Sequence, residues 1–292
     1  MRRAHLVYNP TSGRRRHGSR LEAILAALRE GGFEVEALPT ERRGHAIEIA
    51  RAAAASGVET VFAYGGDGTV REVAEGLCGS ETSLGVLPGG TTNVVSIAFG
   101  LGQDPVEAAR RLCRVQPRPV DVGLCGGRAF LMQASSGVEA YLMARLDPLM
   151  KARFGFAGAV MQGVGAFFRY RYPQIELRAD GERIRATGAM VCNIPEAAGP
   201  YRMVPDGAFD DGQLELLLFT GTSRAAVASF CVDLYRGTHA KRKDVTILPV
   251  REVVFEGPPG AFVQIDGDPM PAPHPIEVRL AQRKLMALVA AR

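Results

Sequence analysis

Two glycine-rich turns of one kind, Gly65-Gly66-Asp67-Gly68-Thr69 and Pro88-Gly89-Gly90-Thr91-Thr92-Asn93, each follow a short apolar run and open a helical pattern. No other feature constrains the chain as much. A strand that ends in a tight glycine turn and passes into a helix is the βα unit of a parallel sheet. The flanking pattern agrees: strands are expected at Ala4–Tyr8, Glu34–Leu38, Thr60–Tyr64 and Leu84–Leu87, and helices at Arg20–Gly31, His45–Ser56, from Thr69 and from Thr92. The helix from Thr69 carries Val70, Val73, Ala74 and Leu77 on one face, as a helix packed on a sheet requires.

The turns also have a chemistry. Glycines let backbone N–H groups approach an anion, and a helix N-terminus adds partial positive charge, so such a turn suits phosphate. Asp67 is repulsive to phosphate unless a divalent cation lies between them, which points to a Mg²⁺–nucleotide complex; a capping role at the helix start is the plainer alternative. In an open α/β sheet ligands bind at the carboxyl ends of the strands, where both turns and Asn9-Pro10-Thr11-Ser12-Gly13 after the first strand can face one crevice. Walker A, GxGxxG and the protein-kinase HRD and DFG motifs are absent.

After about Asp121 the pattern changes to β-type runs, among them Gly188–Asn193, Gln213–Phe219, Arg251–Phe255 and Ala261–Asp266, separated by Gly, Pro and Asp turns. A β-sandwich or barrel-like second domain is expected, with the division at 1–121 and 122–292 and the C-terminal tail able to join the first domain. Glu139–Tyr170 interrupts the strands with a segment that is helical at its start and apolar. Two carboxylates, Asp266 and Asp268, are two residues apart, so an extended segment would set both on one side, whereas Asp266-Gly267-Asp268-Pro269 by itself reads as a turn. Asp210-Asp211-Gly212 by itself reads as a turn.

Other classes are disfavoured. The longest uncharged stretch, Gly155 to Phe168, is too short and glycine-rich to span a membrane, and the N-terminus lacks a secretory pattern, so a cytoplasmic location is expected. The five cysteines form no CxxC pair and the five histidines no zinc-ligand spacing. A formal charge of +4 is modest, with basic clusters at Arg14-Arg15-Arg16, Arg42-Arg43 and Lys241-Arg242-Lys243 that could meet phosphates or anionic lipid. No nucleic-acid partner is expected.

Taken in order along nearly the whole chain, these residues resemble the diacylglycerol-kinase catalytic family, which includes bacterial lipid kinases and the sphingosine and ceramide kinases. The resemblance runs through NPTSG at 9–13, Thr40 with Gly44-His45-Ala46, GGDGT at 65–69 with Glu72, LGVLPGGTTN at 84–93 and Asp121-Val122-Gly123. It continues through Ser136-Gly137-Val138-Glu139-Ala140, Tyr201 to Asp206, Asp210 to Leu214, Gly237-Thr238-His239 and Gln264 to Asp268. GGDGT alone is shared with NAD kinases and phosphofructokinases, whose parallel-sheet fold the first domain is therefore expected to share. The ordered set is what is specific.

The resemblance implies an ATP-dependent lipid kinase with Mg²⁺. It implies ATP against Asn9, Thr11, Ser12, Gly13, Arg14, Thr40, Gly65, Gly66, Asp67, Gly68, Thr69, Val70, Arg71, Glu72 and Thr91, with Asp67 near the metal-bound phosphates. It implies a structural Mg²⁺ held by Asp211 and the carbonyls of Ala208 and Gln213. Asp268, where the family usually has glutamate, is implied as the general base, supported by Asp266. The chain also has Val94, Gln133 and Glu139 where the family commonly has aspartate, asparagine and aspartate. The implied substrate is a lipid at the inner face of the membrane, met peripherally, and a homodimer is an open expectation. A nucleotide- or lipid-binding sensor and a kinase for a soluble substrate such as NAD are the competing readings.

Overall fold

The structure, a computed structural model, describes residues 2–10, 17–145, 169–171, 173–197, 201–257, 261–270 and 274–290. The expected alternation is present in the first domain. β1 (Arg2–Tyr8), α1 (His17–Glu30), β2 (Phe33–Pro39), α2 (His45–Ala55), β3 (Thr60–Gly65), α3 (Asp67–Leu77), β4 (Ser83–Pro88) and α4 (Val94–Ala98) follow in turn. The helix expected from Thr92 starts later because Asn93 is left-handed (φ 48°) and closes the turn on itself: its Oδ1 accepts from Gly90 N at 2.7 Å, and its Nδ2 donates to Gly90 O. An additional helix, α5 (Pro105–Leu112), is capped by Asp104, whose carboxylate accepts from the Val106 and Glu107 amides.

β1 to β4 pair in parallel in the order β2-β1-β3-β4. α2 and α3 pack together on one face, α1 and α5 on the other. The sheet is completed by β5 (Pro117–Val120) and by β20 (Leu285–Leu288) near the C-terminus, which runs parallel to β4 and antiparallel to β5. Leu6, Phe62, Leu84 and Leu288 are buried at its centre, each worth roughly 1.5–3 kcal/mol of transfer free energy.

The rest is a two-sheet sandwich. β6 (Gly123–Cys125), β7 (Arg128–Phe130), β9 (Ile175–Ala179), β10 (Glu182–Ala186), β16 (Glu252–Gly257) and β19 (Ile276–Leu280) make one sheet. β8 (Gln133–Gly137), β11 (Gly188–Cys192), β14 (Leu214–Phe219), β15 (Val245–Val250), β17 (Val263–Ile265) and β18 (Asp268–Met270) make the other. The short ribbon β12 (Glu196–Ala197) and β13 (Tyr201–Arg202) stands apart. β9 shows why the sheets stack: Ile175, Leu177 and Ala179 are buried while Glu176 and Arg178 are exposed, so one face must be covered. It meets Val191, Leu216 and Ile265 of the opposite sheet in a common core. After β8 comes α6 (Val138–Arg145), the helical start expected there. α7 (Arg224–Tyr235) covers the outer face of the second sheet, with Val227 and Phe230 against Phe219 and Val245. No helix among the described residues is long and apolar enough to cross a membrane.

The hairpin β17–β18 decides between the extended and the turn reading of Asp266 to Asp268. Ala261–Asp266 is not extended throughout: Ile265 pairs with Asp268, and Asp266 (φ 50°) and Gly267 (φ 84°) form the two-residue turn between them. Two consecutive left-handed residues, Asp then Gly, are what a tight hairpin of native twist demands. The two carboxylates therefore do not share a side.

Candidate phosphate-binding cleft

The strand order reverses direction at β1, so the loops after β1 and β3 diverge to opposite faces and leave a crevice. Asn9 begins one loop and donates its amide to Tyr64 O. The two glycine turns press together: Gly89 N donates to Gly65 O at 2.8 Å, and a Cβ on Gly90 would stand 2.7 Å from the Gly66 Cα. α3 starts at Gly66 with no side-chain cap, so its first turn is presented to a ligand. A cavity of about 460 Å³ opens here, lined by Asn9, Thr40, Gly66, Gly68, Thr69 and Glu72, by Glu41, Arg42 and Arg43, and across the cleft by Asp268.

Of the residues expected at the nucleotide, the structure gathers Asn9, Thr40, Gly66, Gly68, Thr69 and Glu72 at one cavity. Thr11, Ser12, Gly13 and Arg14 lie outside the described residues, as does the apolar stretch 154–168. Gly65 and Val70 are buried beneath the turn, and Thr91 is exposed beyond it. The carboxylate of Asp67 is directed to the neighbouring turn, accepting from Thr92 Oγ1 (3.1 Å) and Val95 N (3.2 Å). It caps α4 rather than its own helix, and so joins the two turns. Glu72 accepts from Gly44 N at 2.9 Å, holding the Thr40–Gly44 loop over the cavity, with Gly44 left-handed (φ 82°).

Three lining residues, Glu41, Arg42 and Arg43, were not among the expected contacts, although the Arg42-Arg43 pair stood out as basic. Arg42 is tied to Glu48 at 2.7 Å. Arg43 reaches across the cleft to Asp268 Oδ2 at 2.9 Å, and Arg71 reaches the same oxygen at 3.1 Å. Arg71 is 1% exposed, the largest fully buried side chain of the described residues, so a guanidinium rooted in the first domain holds a carboxylate of the second. No local sequence signal could have paired residues this far apart. Of the third basic cluster, Arg242 is spent on Asp233 (2.6 Å) and Asp244 (2.7 Å).

Asp266 is buried and turned the other way. Its carboxylate accepts from the backbone amides of Leu131 (2.8 Å), Met132 (2.9 Å) and Gln133 (3.0 Å). Burial pushes its carboxyl up to about 6, against those amides and the Arg71 charge.

At Asp211, Oδ1 accepts from Gln213 N at 3.0 Å. Nearby, Glu215 Oε2 is buried without a hydrogen-bond partner, and burial, then the Asp211 charge, pushes this carboxyl up to about 7. An orphaned carboxylate oxygen beside a second carboxylate fits a hard divalent cation, which takes oxygen ligands. Asp121 anchors the same loop, through Gly212 N (2.8 Å) and Lys284 Nζ (3.0 Å). Among the described residues no three His, Cys, Asp or Glu side chains cluster as a metal site.

Comparison with known proteins agrees with this layout. Residues 3–125 match the family model described as "Diacylglycerol kinase catalytic domain", and residues 132–289 match "YegS C-terminal NAD kinase beta sandwich-like domain". The chain is 26% identical to the "Diacylglycerol kinase" of Bacillus subtilis, over 92% of this chain and 90% of that one. It is 32% identical to "Probable lipid kinase YegS-like" of Pseudomonas aeruginosa, over 88% and 86%. The crystal structure of a diacylglycerol kinase from Bacillus anthracis superimposes with a TM-score of 0.76 over 99% of this chain and 97% of that one; at 23% identity that likeness speaks for the fold.

Proposed function

Because this chain belongs to the diacylglycerol kinase catalytic family of lipid kinases, we propose that it transfers the γ-phosphate of ATP to the hydroxyl of a diacylglycerol or related lipid. The observation that carries this reading is Asp268, which stands across the cavity from the glycine turns and the uncapped start of α3. Phosphate on one wall and a proton acceptor on the other is what phosphoryl transfer to an alcohol needs.

ATP lies with its phosphates against Gly66, Gly68 and Thr69, beside Asn9, Thr40 and Arg43. The lipid oxygen forms a bond to the γ-phosphorus as the bond to the β-bridging oxygen breaks, releasing ADP. The transition state is loose, so alignment and charge stabilisation supply most of the rate. Asp268 takes the hydroxyl proton. Both guanidinium contacts fall on Oδ2, which makes Oδ1 the accepting atom. Arg43, exposed at the cavity, exchanges this contact for phosphate when nucleotide is present. Asp67 keeps the two phosphate-facing turns in register, and Asp266 anchors the hairpin that presents Asp268.

Mg²⁺ carried with ATP would neutralise phosphate charge. Asp211, with Glu215 beside it and the carbonyls of Ala208 and Gln213, would hold a second, structural Mg²⁺, which would supply rigidity to the Asp210–Gln213 loop. The lipid acceptor is met at the inner face of the membrane, peripherally. Relatives named as diacylglycerol and lipid kinases favour this acceptor class over a soluble one such as NAD.

The test is transfer of label from γ-labelled ATP in Mg²⁺ to lipids in mixed liposomes. Labelled lipid is expected with the wild type. Asp67→Ala should reduce it sharply, and Asp268→Asn by roughly 10²- to 10⁴-fold, the range for a lost general base. ATP binding without transfer to any acceptor would favour a sensor; undiminished turnover in Asp268→Asn would remove the assigned base.

A further inference from the structure

The strand bearing Asp268 is poorly held by its own sheet. β18 is the terminal strand, three residues long, and one of the three is Pro269, which has no amide to donate. What fixes it is a buried polar circuit behind the turn. Gln264, fully buried, accepts from Gly267 N on Oε1 at 2.6 Å. Its Nε2 donates to Ser135 Oγ at 2.9 Å and to Glu139 Oε2 at 3.2 Å.

Glu139 also accepts from Ser135 Oγ on Oε2 and from Gln133 Nε2 on Oε1, the latter at 2.8 Å. Gln133 in turn exchanges backbone bonds with Asp266: its amide donates to Oδ1 and its carbonyl accepts the Asp266 amide, both at 3.0 Å. The circuit thus starts at one left-handed residue of the turn, Asp266, passes through Gln133, Glu139 and Gln264, and returns at the other, Gly267. Asp268 is the next residue.

We propose that Glu139 is a positioning residue for Asp268, locking the Asp266-Gly267 turn through Gln264 and Gln133 so that the Asp268 carboxylate stands at the phosphate cavity. This rests on the reading of Asp268 as the base. With the amides of Gln133 and Gln264 oriented as they are, Glu139 receives three hydrogens and gives none, a part that suits a carboxylate. Burial raises its carboxyl above the ordinary value, against those same three hydrogen bonds. In this network Gln133 Oε1 alone lacks a partner; a mismatch orphans further polar groups and leaves the turn free to shift. A displacement of about 1 Å at a reacting group can cost on the order of 10²-fold in rate.

Two isosteric changes test it. Glu139→Gln points an amide N–H at a donor, and Gln264→Glu sets two carboxylates together. The swap Glu139→Gln with Gln264→Glu restores every partner. The carboxylate moved to position 264 would accept from the Gly267 amide, the Ser135 hydroxyl and the amide moved to position 139, whose own carbonyl would accept from Gln133. Each single change is expected to lower kcat roughly 10- to 100-fold with KM for ATP unchanged, and the swap to recover to within about 3-fold of wild type. Singles that keep kcat, or a swap that loses the product of both, overturn the proposal. Should a single variant fail to fold by thermal melt, Gln133→Met decides: it keeps the backbone bonds to Asp266 and breaks only the side-chain link, and unchanged kcat there also overturns the proposal. Asp268→Asn is run alongside. If it keeps turnover, the assignment of the base fails and the positioning role falls with it; if it loses turnover while the circuit variants keep kcat, only the positioning role fails.

Discussion

The two walls of the cleft are built on different principles. The wall in the first domain is backbone: two glycine turns in contact, an uncapped helix start, and a loop tethered by Glu72. The opposite wall is one side chain, Asp268, whose place depends on a hairpin turn, a buried polar circuit and the buried Arg71. A backbone wall is sensitive to volume and indifferent to most side-chain chemistry. A side-chain wall is the reverse, because removing a single charged partner leaves another uncompensated.

The comparison is sharpened most by Arg71→Met, which fills similar space without the charge. Turnover is expected to fall roughly 10- to 100-fold through loss of alignment at Asp268, with ATP affinity nearly unchanged in a nucleotide-binding titration. A loss of ATP binding instead would mean that Arg71 serves the phosphate wall. On that wall, Gly90→Ala sets a Cβ 2.7 Å from the Gly66 Cα, whereas Gly68→Ala meets nothing within 4 Å. Gly90→Ala should weaken ATP binding and lower stability by about 1–3 kcal/mol, and Gly68→Ala should leave thermal stability near wild type. Equal effects would break the volume argument.

The smallest effect concerns Glu215, which belongs to neither wall. Its folded-state carboxyl, near 7, lies above the ordinary 4.5. The folded state therefore binds this proton more tightly than the unfolded chain, so the contribution is fully present below about pH 4.5 and is lost as pH rises through about 7. Without divalent cation the melting temperature should decline across that window, less so in Glu215→Gln. Above pH 7, Mg²⁺ should raise it by a few degrees, and Asp211→Asn should abolish the rise. No response to Mg²⁺ would remove the metal from this loop.

Much of the first domain was legible because its signals are local. Apolar runs, glycine turns and amphipathic helices sit in contiguous windows, and the ordered motifs carried the family. The site was less legible where partners are remote. The carboxylate of Asp67, next to the glycines in the chain, caps a helix starting at Val94, and Asp266 and Asp268, two residues apart, diverge at a hairpin turn whose buried partners lie over a hundred positions away. His239 and Met203, read in separate motifs, hold one another: the buried imidazole Nε2 meets Met203 O at 2.8 Å.

By itself the sequence determined the alternation of strands and helices, the glycine turns and the β-rich second half, since each follows from periodicity and backbone freedom within a few residues. The packed chain alone set the place of β20 between β4 and β5, brought Arg71 and Arg43 together on Asp268, and joined Glu139 to the turn behind it. Those pairings join residues as many as 225 positions apart, and they arise because buried charge and buried polar groups must find partners wherever the packed chain supplies them.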